Sequence, residues 1–263
     1  MPQYDAGMPS GIDHVVIAVA DPDAAAVELT EKVGLAFTAG GRHDGLGTFN
    51  RIAFLGDAYV ELMGVEDPAA AHGWAIGRAA VRALERGGGF ATYGLVDDNI
   101  RVTVDRLQAN GSRIGPVEHG TREPPDGARV EWLSAAPPEL GPDRPPFLVK
   151  HLNDGAEWSP DALAARRAFV HPIGSPAVLE RLDLAVPEPQ ALAADCHRDL
   201  DLDFWEIGSA AVCAVGRHVI RLVADEPETT IVIGAAVASP RSVDALGLRF
   251  QVTPATLPSD AAF

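Results

Sequence analysis

Two residues frame the chemistry this chain can do. His14 lies in the run GIDHVVIAVA and Glu61 in the run AYVELMGV. Each is a titratable group inside an apolar stretch of strand length. A charge in such a place is costly unless it is paired. An imidazole and a carboxylate so placed point to acid–base work or to metal ligation. They form one site only if both side chains protrude from neighbouring strands into a common hollow. His43 follows the pair Gly40–Gly41, whose backbone freedom permits a tight turn that would fold the imidazole over that hollow.

A second group of residues has types suited to holding a ligand. Asn50 and Arg51 sit together in GTFNR, and Arg122 sits in TREPPDG. A guanidinium there can grip a carboxylate through two parallel hydrogen bonds. Trp74, Tyr93 and Trp132 would wall an apolar pocket. Lys150 and His151 are adjacent in FLVKHL. Side chains alternate along a strand, so only one of the two can face a shared cavity. His151 would serve as a third metal ligand, Lys150 as a cation for an anionic substrate. Each candidate has a plainer reading: a strand-end histidine bonded to backbone, an outward-facing glutamate, a solvated arginine, a core tryptophan. His72, His119, His171, His197 and His218 have no partner assignable from sequence.

The elements that must position these residues recur in one order. Ile12–Val19 is β-branched and of strand length. Asp21–Pro22 is a helix start, with Asp as cap and Pro at the first helical position. Gly34 closes that helix. A short strand is expected over Leu35–Thr38, then a hairpin of Thr48–Leu55 and Ala58–Met63 across Gly56–Asp57. An amphipathic helix is expected across Asp67–Gly89, with Gly77 weakening the pattern. A second unit then repeats the order, with strands over Phe90–Val96, Arg113–Val117, Gly127–Leu133 and Phe147–Leu152. After a polar connector, Asn153–Pro176, a third unit begins at Leu179. The tail adds strand-like segments at Ile231–Val237 and Leu246–Val252.

Laying the units over one another is informative. HVVIAVADPDAAA matches RLDLAVPEPQALA, and YVELMGVEDP matches VIRLVADEP. Arg181 and Arg221 therefore stand where the first unit has His14 and Glu61. In the second unit Ala91 stands near the histidine's place and Lys150 near the glutamate's.

Composition narrows the function classes. The chain has 263 residues and a net charge of −16, and 47% of it is hydrophobic. The negative charge opposes non-specific binding to nucleic acid. No apolar run approaches the roughly 18 residues of a membrane span, and no signal-peptide pattern is seen, so a cytoplasmic location is expected. The two cysteines lack CxxC spacing, which argues against a disulfide framework or a structural zinc site. No dinucleotide fingerprint, Walker loop, HExxH or GxSxG is present. The triplet Gly87–Gly89 follows a helix and precedes a strand, the reverse of a phosphate cradle.

Taken together, DHVVIAVAD, GGRHDGLGTFNR, YVEL, REPPDGARVEWL and PPFLVKH resemble a glyoxalase-like domain of the vicinal oxygen chelate superfamily. The resemblance implies an α+β fold of repeated βαβββ modules, forming cupped mixed sheets with helices outside. It implies one such domain of two paired modules over 11–152. Residues 177–252 would be a degenerate third module with a C-terminal partial one. It implies a small-molecule enzyme of lyase, isomerase or dioxygenase type, with a divalent metal (Zn, Mn, Ni or Fe(II)) in the cup. His14, Glu61 and His151 would be the ligands, and His14, Glu61 and His43 the catalytic groups. The alternatives are a non-catalytic binding or drug-sequestration protein, and a metal-free enzyme with Lys150 or His43 as base. The resemblance also makes a homodimer an expected assembly. The missing second-module ligands set this chain apart from the metal-binding pattern.

Overall fold

The computed structural model describes residues 9–123, 129–152 and 158–255. Its first half is a closed barrel of β1 (Gly11–Ala18), β2 (Gly41–His43), β3 (Thr48–Leu55), β4 (Ala58–Val65), β5 (Gly89–Val96), β6 (Glu118–Glu123), β7 (Val130–Ala135) and β8 (Phe147–Leu152). The order around it is β1-β4-β3-β2-β6-β7-β8-β5. Two βαβββ halves thus meet along two seams, β1 against β5 and β2 against β6. Helix α1 (Pro22–Lys32) links β1 to β2, and Asp21 caps it by accepting from the Asp23 and Ala24 N–H groups. Helices α2 (Pro68–Ala71) and α3 (Ala75–Glu85) link the halves, and α4 (Ile100–Ala109) follows β5.

After α5 (Pro160–Ala168) comes a second sheet. It is built from β9 (Ala177–Ala185), then α6 (Pro189–Leu200), β10 (Trp205–Ile207), β11 (Ala210–Val215), β12 (His218–Val223), β13 (Thr230–Ala235), β14 (Arg241–Ala245) and β15 (Leu248–Pro254). Its order, β10-β11-β12-β9-β13-β15-β14, follows that of the barrel strand for strand with the counterpart of β6 missing. Without it the sheet stays open. The register supports the internal comparison. His14 pairs with Tyr59 and Val16 with Glu61, as Arg181 pairs with Val219 and Asp183 with Arg221. One apolar cluster runs from the barrel's outer face, through Ile17, Leu62 and Leu95, to Leu182, Ile231 and Phe250 of the second sheet.

Local departures from expectation have physical causes. No strand forms over Leu35–Thr38; β2 begins at Gly41, after Gly40 adopts a left-handed φ of 66°. A Cβ on Gly40 would fall 1.7 Å from the Asn50 carbonyl oxygen, so the turn requires glycine. His43 is therefore a strand residue rather than a loop one. The Asp67–Gly89 helix is broken into α2 and α3 between His72 and Trp74. Arg113–Val117 is not a strand; β6 forms just after it. Residues 124–128 of the REPPDG loop, and 153–157 of the connector, lie outside the described residues. The rest of the polar connector is not featureless: it contains Trp158 and α5.

Candidate functional site

Alternation along each strand, carried from neighbour to neighbour by register, decides which side chains face the barrel interior. His14 is opposite Tyr59, and Val16 opposite Glu61. Glu61 faces Ile52, and Met63 faces Asn50. Asn50 meets Gly41, and Thr48 meets His43. His43 meets Arg122, Arg122 meets Val130, and Gly120 meets Trp132. Trp132 meets His151, and Gly94 closes the ring between Phe147 and His14. A Cβ on Gly94 would lie 2.8 Å from the Phe147 ring, so glycine there lets the aromatic ring enter the interior.

The ring encloses a cup lined by His14, His43, Asn50, Tyr59, Glu61 and Arg122, with apolar walls that include Met63, Trp74, Trp132 and Phe147. The space open to the centres of water molecules is about 40 Å³, room for roughly three waters. Trp74 comes from the start of α3 and Trp158 from the connector, so helical and connector segments complete what the strands begin. His14, Glu61, His43, Asn50, Arg122, Trp74, Trp132 and His151, all singled out from sequence, come together here.

Three other candidates do not. Arg51 follows Asn50 and so faces outward, where its Nε donates to the exposed Asp23 at 2.6 Å. Tyr93 is paired with Val15 and packs into the apolar cluster outside the barrel. Lys150 sits opposite Leu133 and donates to the Asp98 carbonyl at 2.5 Å. The reason is the same for all three: a one-residue step along a strand changes the face.

Glu61 is the hub of the polar network. Asn50 Nδ2 donates to Glu61 Oε1 at 2.6 Å and lies 3.3 Å from His43 Nε2. The Gly41 N–H donates to Asn50 Oδ1, which fixes the amide the right way round. His14 Nε2 is 3.5 Å from Glu61 Oε2, and His43 Nε2 is 3.6 Å from Glu61 Oε1. Both imidazoles are buried. Burial lowers the His43 pKa to about 4 against the opposing pull of Glu61, with Arg122 and His14 adding to the fall. His43 is neutral at pH 7. Its Nδ1, 2.7 Å from the Thr48 hydroxyl, then carries the proton, and Nε2 accepts from Asn50.

Sequence reasoning passed over Asp13, Tyr59 and Trp158. Asp13 Oδ1 lies 2.5 Å from His14 Nδ1 and 3.1 Å from His151 Nε2. Burial alone would raise its carboxyl. The His151 charge, then the hydrogen bonds from His14 and His151, overcome this and hold it well below the usual carboxylate range. The Tyr59 ring stacks on His14 with centroids 4.5 Å apart, and burial, then Asp13 and Glu61, raise its phenol well above the ordinary value. Trp158 stacks on His151 at 3.5 Å. The charge of Asp13 inside an apolar strand, beside His14, was a usable signal. Nothing local to Trp158 says that it returns to the barrel.

A family model described as a glyoxalase-like domain matches residues 12–200. The chain belongs to the glyoxalase-like domain family. The barrel of two paired βαβββ halves is the fold expected of such a domain. Among solved structures, a hypothetical protein from Staphylococcus aureus is similar over 93% of this chain and 99% of its own, at 16% identity and a TM-score of 0.77. Methylmalonyl-CoA epimerase from Mycobacterium tuberculosis is similar over 57% of this chain and 92% of its own, at 18% identity and a TM-score of 0.41. The Streptomyces coelicolor epimerase, in complex with 2-nitronate-propionyl-CoA, gives 18% and 0.40, over 54% of this chain and 96% of its own. No protein in the curated set matches the sequence.

A divalent ion in the cup would need several donors around one point. Among the described residues no group of three or more His, Cys, Asp or Glu side chains is arranged to hold an ion. The expected set of His14, Glu61 and His151 is not assembled, because His151 turns its Nε2 to Asp13. In the second half of this glyoxalase-like barrel, Ala91, Phe147 and Val149 give the interior an apolar lining. The set of His14, Glu61 and His151 therefore does not fit a metal as a three-ligand site.

Proposed function

We propose that this chain is a small-molecule enzyme of isomerase type, moving a proton at a carbon beside a carbonyl, with Glu61 and His14 as an adjacent base and acid. The observation that carries the reading is the 3.5 Å approach of His14 Nε2 to Glu61 Oε2 within apolar walls. Asp13 accepts only, so His14 Nδ1 must carry a proton. A neutral His14 would then turn a lone pair toward a carboxylate oxygen, acceptor to acceptor. The arrangement is satisfied when the pair holds one further proton, on His14 Nε2.

In that state Glu61 takes the proton from the substrate C–H. The bonding electrons move onto the carbonyl oxygen, which becomes enolate-like, and His14 Nε2–H donates to it. Arg122 faces the same space and adds a fixed positive charge. Glu61 returns the proton to the other face of the carbon once the planar enolate has turned over, which gives the epimer and restores the enzyme. With a hydroxycarbonyl substrate, His14 gives its Nε2 proton to the former carbonyl oxygen and takes the proton of the neighbouring hydroxyl, and Glu61 returns its proton to the former carbonyl carbon, which gives the isomer and restores both groups. General acid–base transfer of this kind contributes about 10²–10⁴-fold, and each preorganised donor to an oxyanion about 10²–10³-fold. Space for roughly three waters suits substrates of three or four carbons.

The test is hydrogen exchange. Three- and four-carbon hydroxycarbonyl compounds and 2-oxo acids are incubated with the protein in D₂O, with and without a chelator, and followed by proton NMR. The expected result is catalysed loss of the C–H signal, unaffected by chelator and reduced about 10³-fold by Glu61→Gln, within the range for an essential base. Exchange that survives that substitution, or no exchange with any compound, overturns the reading.

A binding protein without chemistry is favoured by one feature, the three tryptophans around the cup. Against it stand the buried carboxylate and imidazoles, since burying ions costs several kcal/mol each and a passive apolar pocket has no use for them. Thermal stabilisation by aromatic ligands, with no exchange of any substrate, would favour it.

A further inference from the structure

We infer that Asp13 is the positioning residue of this site: by accepting from His14 Nδ1–H it directs His14 Nε2 at Glu61, and by accepting from His151 it anchors that geometry to the opposite half of the barrel. The inference rests on the acid–base reading of Glu61 and His14 and adds the residue that sets which nitrogen does the work.

The geometry is specific. Asp13 precedes His14 directly, and in a regular strand the two would point to opposite faces. The pairing of β1 with β5 is irregular at this point. Ile12 is opposite Leu95 and His14 opposite Gly94, so Asp13 is the extra residue of a bulge. A bulge re-aims a side chain beside a site, and here it brings the carboxylate round to the Nδ1 edge of its neighbour's ring. His14 is gripped on three sides: by Asp13 at 2.5 Å, by the stacked Tyr59 ring, and by the edge of Phe147 at 5.3 Å. Only Nε2 is left to address the cup.

The second contact explains why the carboxylate does not swing away. His151, on β8, donates to the same Asp13 oxygen at 3.1 Å. It is itself clamped by Trp158, and Arg166 lies over that indole at 4.4 Å. A carboxylate that is 1% exposed is thus held by groups from β8 and its own strand. Unsupported, such a buried charge would cost several kcal/mol. Asp13 is not among the residues that line the cup, so its role is to orient the His14 ring and to hold a proton on Nδ1.

The experiment reads the tautomer directly. Protein labelled with ¹⁵N-histidine is examined by NMR at pH 7, as wild type, Asp13→Asn and His151→Phe. In the wild type, His14 is expected to show a protonated Nδ1 with a strongly downfield, slowly exchanging proton. Asp13→Asn is expected to abolish that resonance and shift both His14 nitrogens. His151→Phe keeps a ring against Trp158 but removes the second donor to Asp13, and is expected to speed solvent exchange of the His14 Nδ1 proton without abolishing it; exchange as slow as in the wild type would overturn the anchoring role of His151. In the exchange assay, Asp13→Asn should lower kcat by about 10- to 100-fold with KM within about two-fold, the pattern of a lost transition-state interaction.

A wild-type His14 protonated on Nε2 alone, or an Asp13→Asn spectrum with unchanged His14 nitrogens, would overturn the assignment. The wild-type spectrum decides even if Asp13→Asn fails to fold. It also decides if no substrate exchanges, so failure of the isomerase reading is separable from failure of this one.

Discussion

At the scale of single residues, the site is organised by polar groups that cannot be left unpaired. Asn50 shows this best. It is 2% exposed, its amide donates to Glu61 at 2.6 Å and its carbonyl accepts from Gly41. Asn50→Ala would strip a buried carboxylate of its donor and a strand N–H of its acceptor. Each loss costs about 1–3 kcal/mol, so chemical denaturation should show a drop of about 2–6 kcal/mol, with activity reduced further than stability explains. Arg51→Ala, one residue along, is the control. Its pair with Asp23 is at the surface, where such bridges contribute about 0–1 kcal/mol, and both stability and the exchange rate should stay close to wild type. If Arg51→Ala were as damaging as Asn50→Ala, the inward and outward assignment of β3 would be wrong.

At the scale of elements, the strands supply the reactive groups and the connections finish the walls. Leu163 of helix α5 and Trp158 just before it pack on the barrel cluster of Ile52, Phe54, Tyr59 and Val130, and Arg166 covers the Phe54 ring at 3.7 Å. Removing a buried large aromatic costs about 3–5 kcal/mol. Trp158→Ala should fall in that range by urea midpoint and loosen His151. Trp158→Phe, which keeps a stacking partner, should recover most of the loss. The residues recognised from sequence were those whose signal is local: a charge in an apolar run, a glycine pair, a capped helix start. The absence of a strand over Leu35–Thr38 and the arrival of β6 were decided by pairing partners far along the chain, and no local pattern carries them. Trp158 was unreadable for the same reason.

At the scale of the whole molecule, the chain is one closed cup and one open one. The open sheet has Arg181 and Arg221 at the places of His14 and Glu61, and Asp183 lies between them, accepting from Arg181 at 2.8 Å and from Arg221 at 3.3 Å. The acid–base chemistry proposed for His14 and Glu61 therefore has no counterpart at the matching places of the open sheet. Both halves of that cup come from one chain, so a dimer is not needed to complete it.

Stability of the whole should fall in mild acid. Burial lowers the pKa of His43 to about 4. It does the same at His218, also to about 4, with Arg217 assisting and Asp57 opposing. Both are neutral in the folded protein at pH 7. As pH falls below about 6.5 the unfolded chain takes up protons that the folded chain refuses until about 4. Stability is thus full above about 6.5 and lost progressively down to about 4. Between pH 7 and pH 5 each histidine should account for about 2 kcal/mol by this linkage, read from urea midpoints. His218→Gln should flatten the profile by its share; a profile with no slope between 7 and 5 would contradict the burial of both.

By itself the amino-acid sequence determined the repeat of βαβββ units, the family, and the residues whose chemistry matters most, because periodicity, caps and isolated charges are written locally. Only the tertiary structure decided which of neighbouring residues face inward, and that Asp13 joins His14 to His151. Those outcomes depend on register and on one bulge, where a single-residue step turns a side chain to the other face.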